Sequence, residues 1–214
     1  MGIQWIVFEA GDGAGKSTQV EMLKKFYQEK RNIDPIVCRQ PGNTKLGNIL
    51  RTILLGQEYS EHLCPEAERL LFAADNAQFV EEIIIPSLNK GDIIIQDRYT
   101  PYSNFAYGVY GSKMVKPEFM QLLEVATKGY YPDLVFLLDL DPEIAQQRMN
   151  FRGVATKTRI DNFDLDFHKR VREGYLELSQ KYFPKFKTID ASKNEILIHN
   201  EIISILKQEE NERG

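Results

Sequence analysis

Short apolar runs alternate with longer amphipathic segments along this sequence. The runs at residues 93–95 and 134–138 contain only apolar side chains, which is typical of strands that are buried on both faces. Strands that alternate with helices favour right-handed crossovers and a parallel sheet between two layers of helices. The pattern therefore predicts an α/β fold in one domain, a three-layer sandwich with a parallel five-stranded sheet.

The bounds of the elements follow from where each pattern stops. Strands are predicted at residues 3–8, 35–39, 92–97, 134–139 and 186–190. Helices are predicted at residues 16–30, 45–55, 65 to about 86, 116–128, 142–149, 164–182 and 195–208. The Tyr- and Gly-rich segment after residue 99 is expected to be poor in helix, and residues 207–214 are expected to fray. Ligands of such sheets bind beyond the carboxyl ends of the strands, so a site is expected at that edge.

A glycine-rich segment, EAGDGAGKST at residues 9–18, joins the first predicted strand to the first predicted helix. Glycines let backbone N–H groups turn inward around phosphate oxygens, and the helix N-terminus adds a positive field. Lys16 can reach the β- and γ-phosphates of ATP, and the Ser17 hydroxyl can bind Mg²⁺. The segment predicts a phosphate-binding loop (P-loop), whose ATP-binding residues are Gly11, Asp12, Gly13, Ala14, Gly15, Lys16, Ser17 and Thr18.

One position departs from the P-loop pattern G-x-x-x-x-G-K-[ST], because Ala10 stands where the first glycine is expected. Alanine fits there only if its φ angle is negative, and we expect the loop to be intact. A glycine-rich turn that binds nothing is one alternative, and a dinucleotide-binding turn is another. The Gly-Lys-Ser at residues 15–17 favours a nucleoside triphosphate over both.

An acid and a base follow the third predicted strand. Asp97 lies at its end, where P-loop enzymes place the carboxylate that organises Mg²⁺ or its waters. Arg98 comes next and can bridge donor and acceptor phosphates at the same edge. A purely structural pair of Asp97 and Arg98 is the alternative, which is weaker once the P-loop is considered.

Cations without counter-charges mark residues 148–160. The segment contains Arg148, Arg152, Lys157 and Arg159 and no acid. Its low helix propensity and its charge suit a mobile lid, at residues 150–161, that closes over phosphates during transfer. A solvated surface loop is the alternative.

Composition narrows the possible partners. The 214 residues carry a net charge of −4, so no broad basic face for nucleic acid is expected. The two cysteines, Cys38 and Cys64, form no C-x-x-C motif, which favours a reduced cytoplasmic setting. No apolar run approaches the roughly 18 residues that span a bilayer, so no membrane partner is expected.

Four segments together resemble the thymidylate kinase family. They are FEAGDGAGKSTQ at residues 8–19, RQPGNT at residues 39–44, LLFAADNAQ at residues 70–78 and DRY at residues 97–99. The resemblance extends from residue 3 to about residue 206. It implies Mg²⁺-dependent transfer of the γ-phosphoryl group of ATP to the nucleoside monophosphate thymidylate, in a homodimer.

The resemblance also implies roles for single residues. Asp12 would face the sugar of the acceptor, and Phe72 would stack on its base. The full acceptor set is Asp12, Arg39, Pro41, Phe72, Asn76, Arg98 and Tyr107, and Ala191 and Ser192 would lie beside adenine. The catalytic set is Lys16, Asp97, Arg98, Arg152 and Arg159, with Ser17 and Asp97 for the metal. Position 13 is a glycine and not an arginine, so the phosphate loop has no arginine of its own. The resemblance implies that Arg152 or Arg159 of the lid supplies this positive charge instead.

Two departures from the family pattern bear on base specificity. Asn76 replaces an arginine that donates to a pyrimidine carbonyl in the family, and Gly108 stands where glutamine is common, after a shift of one residue. Helical spacing places Arg69, Phe72, Asn76 and Phe79 on one stripe and Leu70, Ala73, Ala77 and Val80 on a core-facing one. Asn76 is therefore expected to reach the base edge, with weaker discrimination than arginine.

Two alternative functions stay open at this point. One is a kinase for another deoxynucleotide or a modified pyrimidine monophosphate. The other is a nucleotide-dependent switch or ATPase that has no small acceptor.

Overall fold

The computed structural model describes residues 2–59, 63–113, 117–151, 160, 163–182 and 185–213, without the side chains of residues 117–120, 150 and 151. Its strands are β1 (Trp5–Glu9), β2 (Ile36–Arg39), β3 (Ile94–Asp97), β4 (Leu134–Asp139) and β5 (Phe186–Asp190). They form one parallel sheet in the order β2-β3-β1-β4-β5. The predicted parallel five-stranded sheet is confirmed, and β1 is its central strand.

Helices cover both faces of this sheet. In the described part of the chain they are α1 (Lys16–Phe26), α2 (Lys45–Leu55), α3 (Pro65–Phe79), α4 (Ile85–Lys90), α5 (Thr100–Asn104), α6 (Pro117–Thr127), α7 (Pro142–Phe151), α8 (Leu165–Lys181) and α9 (Glu195–Arg213). Alternate side chains of β1 divide the core. Ile6 and Phe8 belong to the cluster with α1 and α9, and Trp5 and Val7 to the cluster with α3 and α8. Burial on both faces explains why the strands lack polar alternation.

Polar side chains set where two of these helices begin. The Thr44 hydroxyl accepts a hydrogen bond from the Gly47 N–H at 2.8 Å, at the start of α2. The Asp164 carboxylate accepts one from the Phe167 N–H at 2.7 Å, at the start of α8. Such caps satisfy N–H groups that the first turn of a helix leaves without partners. The predicted bounds of α2 are confirmed, and those of α8 differ by one residue at each end.

The helix predicted to end near Pro86 continues to Lys90. A π-helical turn at Val80–Ile84 separates α3 from α4, and Pro86 lies in the first turn of α4. Proline has no N–H to donate, but the first turn of a helix does not need that donor. The proline therefore starts a new helical segment instead of ending the old one.

The Tyr- and Gly-rich segment is helical, contrary to the prediction. It forms α5 and a π-helical turn at Phe105–Gly111. A Cβ atom at Gly111 would lie 2.8 Å from the Phe167 ring. The glycine therefore serves close packing against α8 instead of breaking the helix.

The predicted fraying end is also wrong, since α9 extends to Arg213. Glu209 is buried, and its carboxylate pairs with Lys187 Nζ at 2.5 Å. Arg213 Nη2 donates to the Asp133 carbonyl oxygen at 3.0 Å. These contacts hold the last turns of α9 on the sheet.

Residues 152–159, which include Arg152 and Arg159, lie outside the described residues. The helix before them, α7, extends two residues beyond its predicted end, to Phe151. Within the described residues, no helix combines the length and the apolar character needed to cross a membrane.

A buried carboxylate on α3 holds the loop that follows β2. Asp75 accepts hydrogen bonds from the Gly42 N–H at 2.9 Å and from Gln40 Nε2 at 3.2 Å. Asp75 is fully buried, and burial raises its pKa to about 7 although both hydrogen bonds lower it. The charge state of Asp75 therefore changes near neutral pH.

We predict that the free energy of unfolding contains a contribution from Asp75 that falls as pH rises. The pKa of about 7 in the folded chain lies above the 3.8 of a free aspartate. The contribution is thus fully present below about pH 4 and is lost as pH rises through about 7. Asp75→Asn should remove this slope of the unfolding free energy against pH, which adds up to on the order of a few kcal/mol over the window from about pH 4 to about pH 7. Urea unfolding at pH 5, 6, 7 and 8 measures it.

The control is Asp166→Asn, at an exposed carboxylate in the first turn of α8. It should keep the slope of the unsubstituted protein. Equal slopes in Asp75→Asn and the unsubstituted protein would contradict the assignment.

Candidate functional site

A cavity of about 330 Å³ lies beyond the carboxyl ends of β1, β2 and β3. The predicted site residues that line it are Asp12, Gly13, Gly15, Lys16, Ser17, Thr18, Arg39, Pro41, Phe72, Asp97, Arg98 and Tyr107. Most of the predicted set therefore comes together in one space. Gly11, Ala14, Asn76, Ala191 and Ser192 do not line it.

The phosphate loop lies between β1 and α1, with Gly15 at the N-cap of the helix. Gly13 has a φ angle of 81°, whereas Ala10 is not among the residues of positive φ. Alanine is therefore tolerated at position 10, as expected. Lys16 Nζ donates to the Gly11 carbonyl oxygen at 3.2 Å and is buried in the loop. Burial lowers the pKa of Lys16, and the neighbouring Arg98 lowers it further.

Two oxygen ligands of the predicted metal site are adjacent. The Ser17 hydroxyl donates to Asp97 Oδ2 at 3.0 Å, because β3 ends beside the first turn of α1. A hydroxyl and a carboxylate are hard oxygen ligands, and Mg²⁺ in phosphate sites needs only one or two protein ligands besides phosphate and water. The residues present fit Mg²⁺ by this chemistry.

The Arg98 side chain contacts two residues of the phosphate loop. Its Nη2 donates to Asp12 Oδ1 at 2.6 Å, and its Nη1 donates to the Ala10 carbonyl oxygen at 2.9 Å. The Tyr107 hydroxyl donates to Asp12 Oδ2 at 2.8 Å. Burial raises the pKa of Asp12, but the charges of Arg98 and Lys16 outweigh it and lower that pKa to about 2. Asp12 is therefore a carboxylate at any physiological pH.

A buried acid behind Arg98 was missed by sequence reasoning as a site residue. Glu9 is fully buried and accepts hydrogen bonds from the Tyr99 N–H at 2.7 Å and the Tyr175 hydroxyl at 2.8 Å. Burial raises the pKa of Glu9, against the charge of Arg98. The Tyr175 hydroxyl also accepts from Arg98 Nη1 at 3.0 Å. An acid at the end of a buried strand was the available signal for Glu9, whereas no role in the site was predicted from the sequence for Tyr175 of α8.

A second missed residue, Arg51, lines the cavity next to the predicted Arg39. Its Nη1 donates to the Pro41 carbonyl oxygen at 2.8 Å. Burial lowers the pKa of Arg51, and the charge of Arg39 lowers it further. Mutual repulsion of this kind is relieved by a bound anion. The signal was present, since Arg51 is the lone charged side chain within residues 46–55.

Asn76 does not have its predicted position. It is fully buried, its Nδ2 donates to the Ala126 carbonyl oxygen at 3.1 Å, and its Oδ1 accepts from Gln40 Nε2 at 3.1 Å. Each four-residue step turns a helical stripe by about 40°, so Asn76 faces α6 while Phe72 faces the cavity. The expectation that Asn76 reads the base is wrong for this arrangement.

Several other residues of the predicted stripes and of the predicted site also lie elsewhere than expected. Phe79 lies in the core, and Leu70, predicted to face the core, is 57% exposed. Gly11 and Ala14 line a separate cavity of about 30 Å³ on the other side of the loop. The backbone of Ala191 and Ser192 accepts hydrogen bonds from Arg148, at 2.9 and 3.2 Å, beyond the end of β5.

Comparison with known proteins gives consistent matches over nearly the whole chain. A family model described as thymidylate kinase matches residues 8–202. A thymidylate kinase of Carboxydothermus hydrogenoformans is 40% identical over 204 residues, which cover 95% of this chain and 97% of that protein. One from Thermoanaerobacter sp. (strain X514) is 36% identical over 205 residues, covering 96% and 98%.

A solved structure gives the same result at the level of the fold. The crystal structure of thymidylate kinase from Ehrlichia chaffeensis superposes with a TM-score of 0.76 at 28% identity. The match covers 96% of this chain and 100% of that one. The matches favour a nucleotide kinase over a switch protein.

We predict that Gly13→Ala lowers both thermal stability and ATP affinity. At the φ angle of 81°, a Cβ atom would lie 2.7 Å from the Ala145 carbonyl oxygen of α7. Strain and overlap of this kind cost about 1–3 kcal/mol, which thermal unfolding and ATP titration measure. Gly11→Ala is the matched control for stability, because its Cβ atom would meet nothing within 4 Å. A similar melting temperature for both variants would contradict the packing argument.

Proposed function

The chain belongs to the thymidylate kinase family, and on that premise we propose that it transfers the γ-phosphoryl group of ATP to thymidylate in this cavity. The observation that carries the proposal is the cavity itself. It joins the phosphate loop, the strand-end pair Asp97 and Arg98, and a second group of cations around Arg39. A switch protein needs the first two features but has no use for the third.

The donor half is built on the phosphate loop. Backbone N–H groups at the N-terminus of α1 and the Lys16 ammonium would bind the β- and γ-phosphates of ATP. Ser17 and Asp97 would hold Mg²⁺, which when bound neutralises charge that develops on the phosphate oxygens. Lys16 is already buried at the loop, so little reordering is needed for it to reach a phosphate.

The acceptor half is built on arginines from different elements. Arg39 at the end of β2 and Arg98 after β3 would hold the acceptor phosphate, and Arg51 of α2 adds a third guanidinium. The Asp12 carboxylate would accept a hydrogen bond from the sugar, and Tyr107, whose hydroxyl donates to Asp12, would lie beside it. Phe72 offers a flat face to the base.

The reaction needs positioning more than covalent chemistry. An oxygen of the acceptor phosphate attacks the γ-phosphorus in line as the bond to ADP breaks, so no phosphoenzyme forms. The protein's share is to align the two phosphates and to offset their charge. The cations that line the described part of the cavity suit both tasks.

The lid belongs to the same proposal. On this proposal residues 150–161 would act as the lid of a single domain, and Arg152 or Arg159 would supply the positive charge that the phosphate loop lacks at Gly13. Ile160 and Phe163, which lie at and just after the end of this segment, line the cavity. A cytoplasmic location and the lack of a nucleic-acid partner stay predictions that rest on the net charge of −4 and on Cys38 and Cys64, both free thiols.

We predict that ADP forms rapidly only when ATP, Mg²⁺ and thymidylate are all present. A coupled assay with thymidylate, deoxyuridylate, deoxycytidylate and deoxyadenylate measures the acceptor dependence. A switch or ATPase would make ADP slowly and without regard to the acceptor. Preference for a purine nucleotide would reject thymidylate as the acceptor while leaving a nucleotide kinase in place.

The same assay tests the assigned cations. Lys16→Ala, Arg98→Ala and Arg159→Ala should each lower kcat by roughly 10²-fold, as expected for loss of one preorganised donor in the transition state. For Arg159→Ala, a rise in the KM for thymidylate at constant kcat would assign a ground-state contact instead. Lys193→Ala, at an exposed side chain paired with Glu201, is the control and should keep the full rate.

The exposed surface of α2, α3 and α6 supports a homodimer. Leu46 and Ile49 of α2, Leu70 of α3 and Val125 of α6 are 41%, 61%, 57% and 75% exposed. These helices are neighbours in the fold, so their aliphatic side chains form one apolar face. Such a face is typical of an interface between subunits.

We predict that light scattering gives twice the chain mass of 24.7 kDa. Ile49→Asp should shift the protein to the monomer, because it places a charge in the apolar face. Ile196→Asp, at an equally exposed position on α9, is the control and should remain dimeric. A monomer for the unsubstituted protein at micromolar concentration would reject the dimer.

A further inference from the structure

Arg69 of α3 extends into the space that Gly108 leaves empty. The side chain is buried and lines the main cavity, as does Gly108. A Cβ atom at Gly108 would overlap with Arg69 Nη1 and would lie 2.8 Å from Arg69 Cζ. The guanidinium therefore lies directly against the backbone of the π-helical turn, and any side chain at position 108 would displace it.

The neighbours of this guanidinium indicate what it can recognise. Phe72 lies three residues further along α3, on the same side, and also lines the cavity. Asn104 of α5 lines it too, and its buried Nδ2 has no hydrogen-bond partner among the described residues. This end of the cavity thus combines an aromatic face with N–H donors. A flat ring that carries carbonyl oxygens complements both.

We infer that Arg69 is a specificity-determining residue that reads the pyrimidine base of the acceptor through a ring carbonyl, in the place that Asn76 cannot reach. The inference rests on the proposed function and concerns the base end of the same cavity. Guanidinium carries five N–H donors and no acceptor. It therefore donates to the 4-oxo group of thymine or uracil and disfavours the 4-amino group of cytosine, which is itself a donor.

The absence of a side chain at position 108 contributes to base recognition by Arg69. Asn76 is turned towards α6 and Gln40, and its amide is occupied there. Burial lowers the pKa of Arg69, although the charges of Glu68 and Glu66 raise it. A desolvated guanidinium gains more from a carbonyl acceptor than an exposed one. Gly108 gives the long side chain of Arg69 room to reach the ring.

A structural role for Arg69 is the competing explanation, since Glu68 on the same helix also lines the cavity. The two roles differ in what they change. An ion pair that only supports the fold would alter stability and affect all acceptors alike. A base contact would alter the ratio between acceptors and leave ATP binding unchanged.

The test compares kcat/KM for thymidylate and deoxycytidylate, and the Kd of thymidylate by calorimetry, in three variants. Arg69→Met should lower kcat/KM for thymidylate by about 10-fold or more, mainly through KM, and leave deoxycytidylate unchanged or improved. Gly108→Ala should reduce the same ratio while Arg69 is intact, because its methyl group displaces the guanidinium. Arg170→Met is the control: Arg170 donates to the Gly111 carbonyl oxygen of the same π-helical turn at 2.9 Å, and its loss should leave the ratio unchanged.

The outcomes separate the inference from the function on which it rests. If the unsubstituted protein prefers thymidylate and both Arg69→Met and Gly108→Ala keep its ratio, Arg69 does not read the base. Equal losses for both acceptors, with a lower melting temperature, would assign Arg69 to the fold and overturn the inference. If the unsubstituted protein phosphorylates no nucleoside monophosphate, the proposed function fails first. Should Arg69→Met not fold, Gly108→Ala decides alone, because alanine suits its helical backbone.

Discussion

The parallel register of β1 and β3 decides where the charges of the site lie. Phe8 pairs with Asp97, and Arg39 of β2 pairs with Asp97 from the other side. The three strands therefore end at one level, so the phosphate loop and two arginines leave the sheet side by side. A shift of one residue in this register would turn Asp97 into the core and carry Arg98 away from the loop.

The charged side chains at that edge contribute little to the stability of the fold, and their main effect is to fix the positions of Arg98 and Asp12. Arg98 has a φ angle of 69°, which costs on the order of 1 kcal/mol or more for a residue other than glycine. Its pairs with Asp12 and Glu9 also lose hydration on burial. Removal of one partner would leave the other charge buried and cost about 3–5 kcal/mol. The network therefore fixes Arg98 and Asp12 in place, at an energetic cost that the large apolar core on both faces of the sheet offsets.

The fold and the donor half of the site could be predicted because their signals are local. Continuous apolar runs gave the strands, and the spacing around Lys16 and Ser17 gave the loop. The acceptor half depends on contacts between distant elements, so it was predicted less well. The predicted position of Asn76 was wrong because residues four apart on α3 do not point in the same direction. Its amide instead forms hydrogen bonds with Gln40 and with α6. Pro86 misled because nothing in the sequence indicates the π-helical turn before it. Arg51 and Tyr175 become site residues only when α2 and α8 pack against the sheet.

The π-helical turn at Phe105–Gly111 has a consequence for how this segment can change over evolutionary time. An extra residue in an α-helix rotates everything beyond it by about 100°, which would turn core side chains towards water. A π turn takes up one more residue within the turn itself. A one-residue shift of the kind that the resemblance implies would therefore be contained within this turn, where the Tyr107 hydroxyl donates to Asp12. An insertion at this turn therefore changes the fold very little. It does change which residue of the turn faces the ligand, and that residue can be one without a side chain.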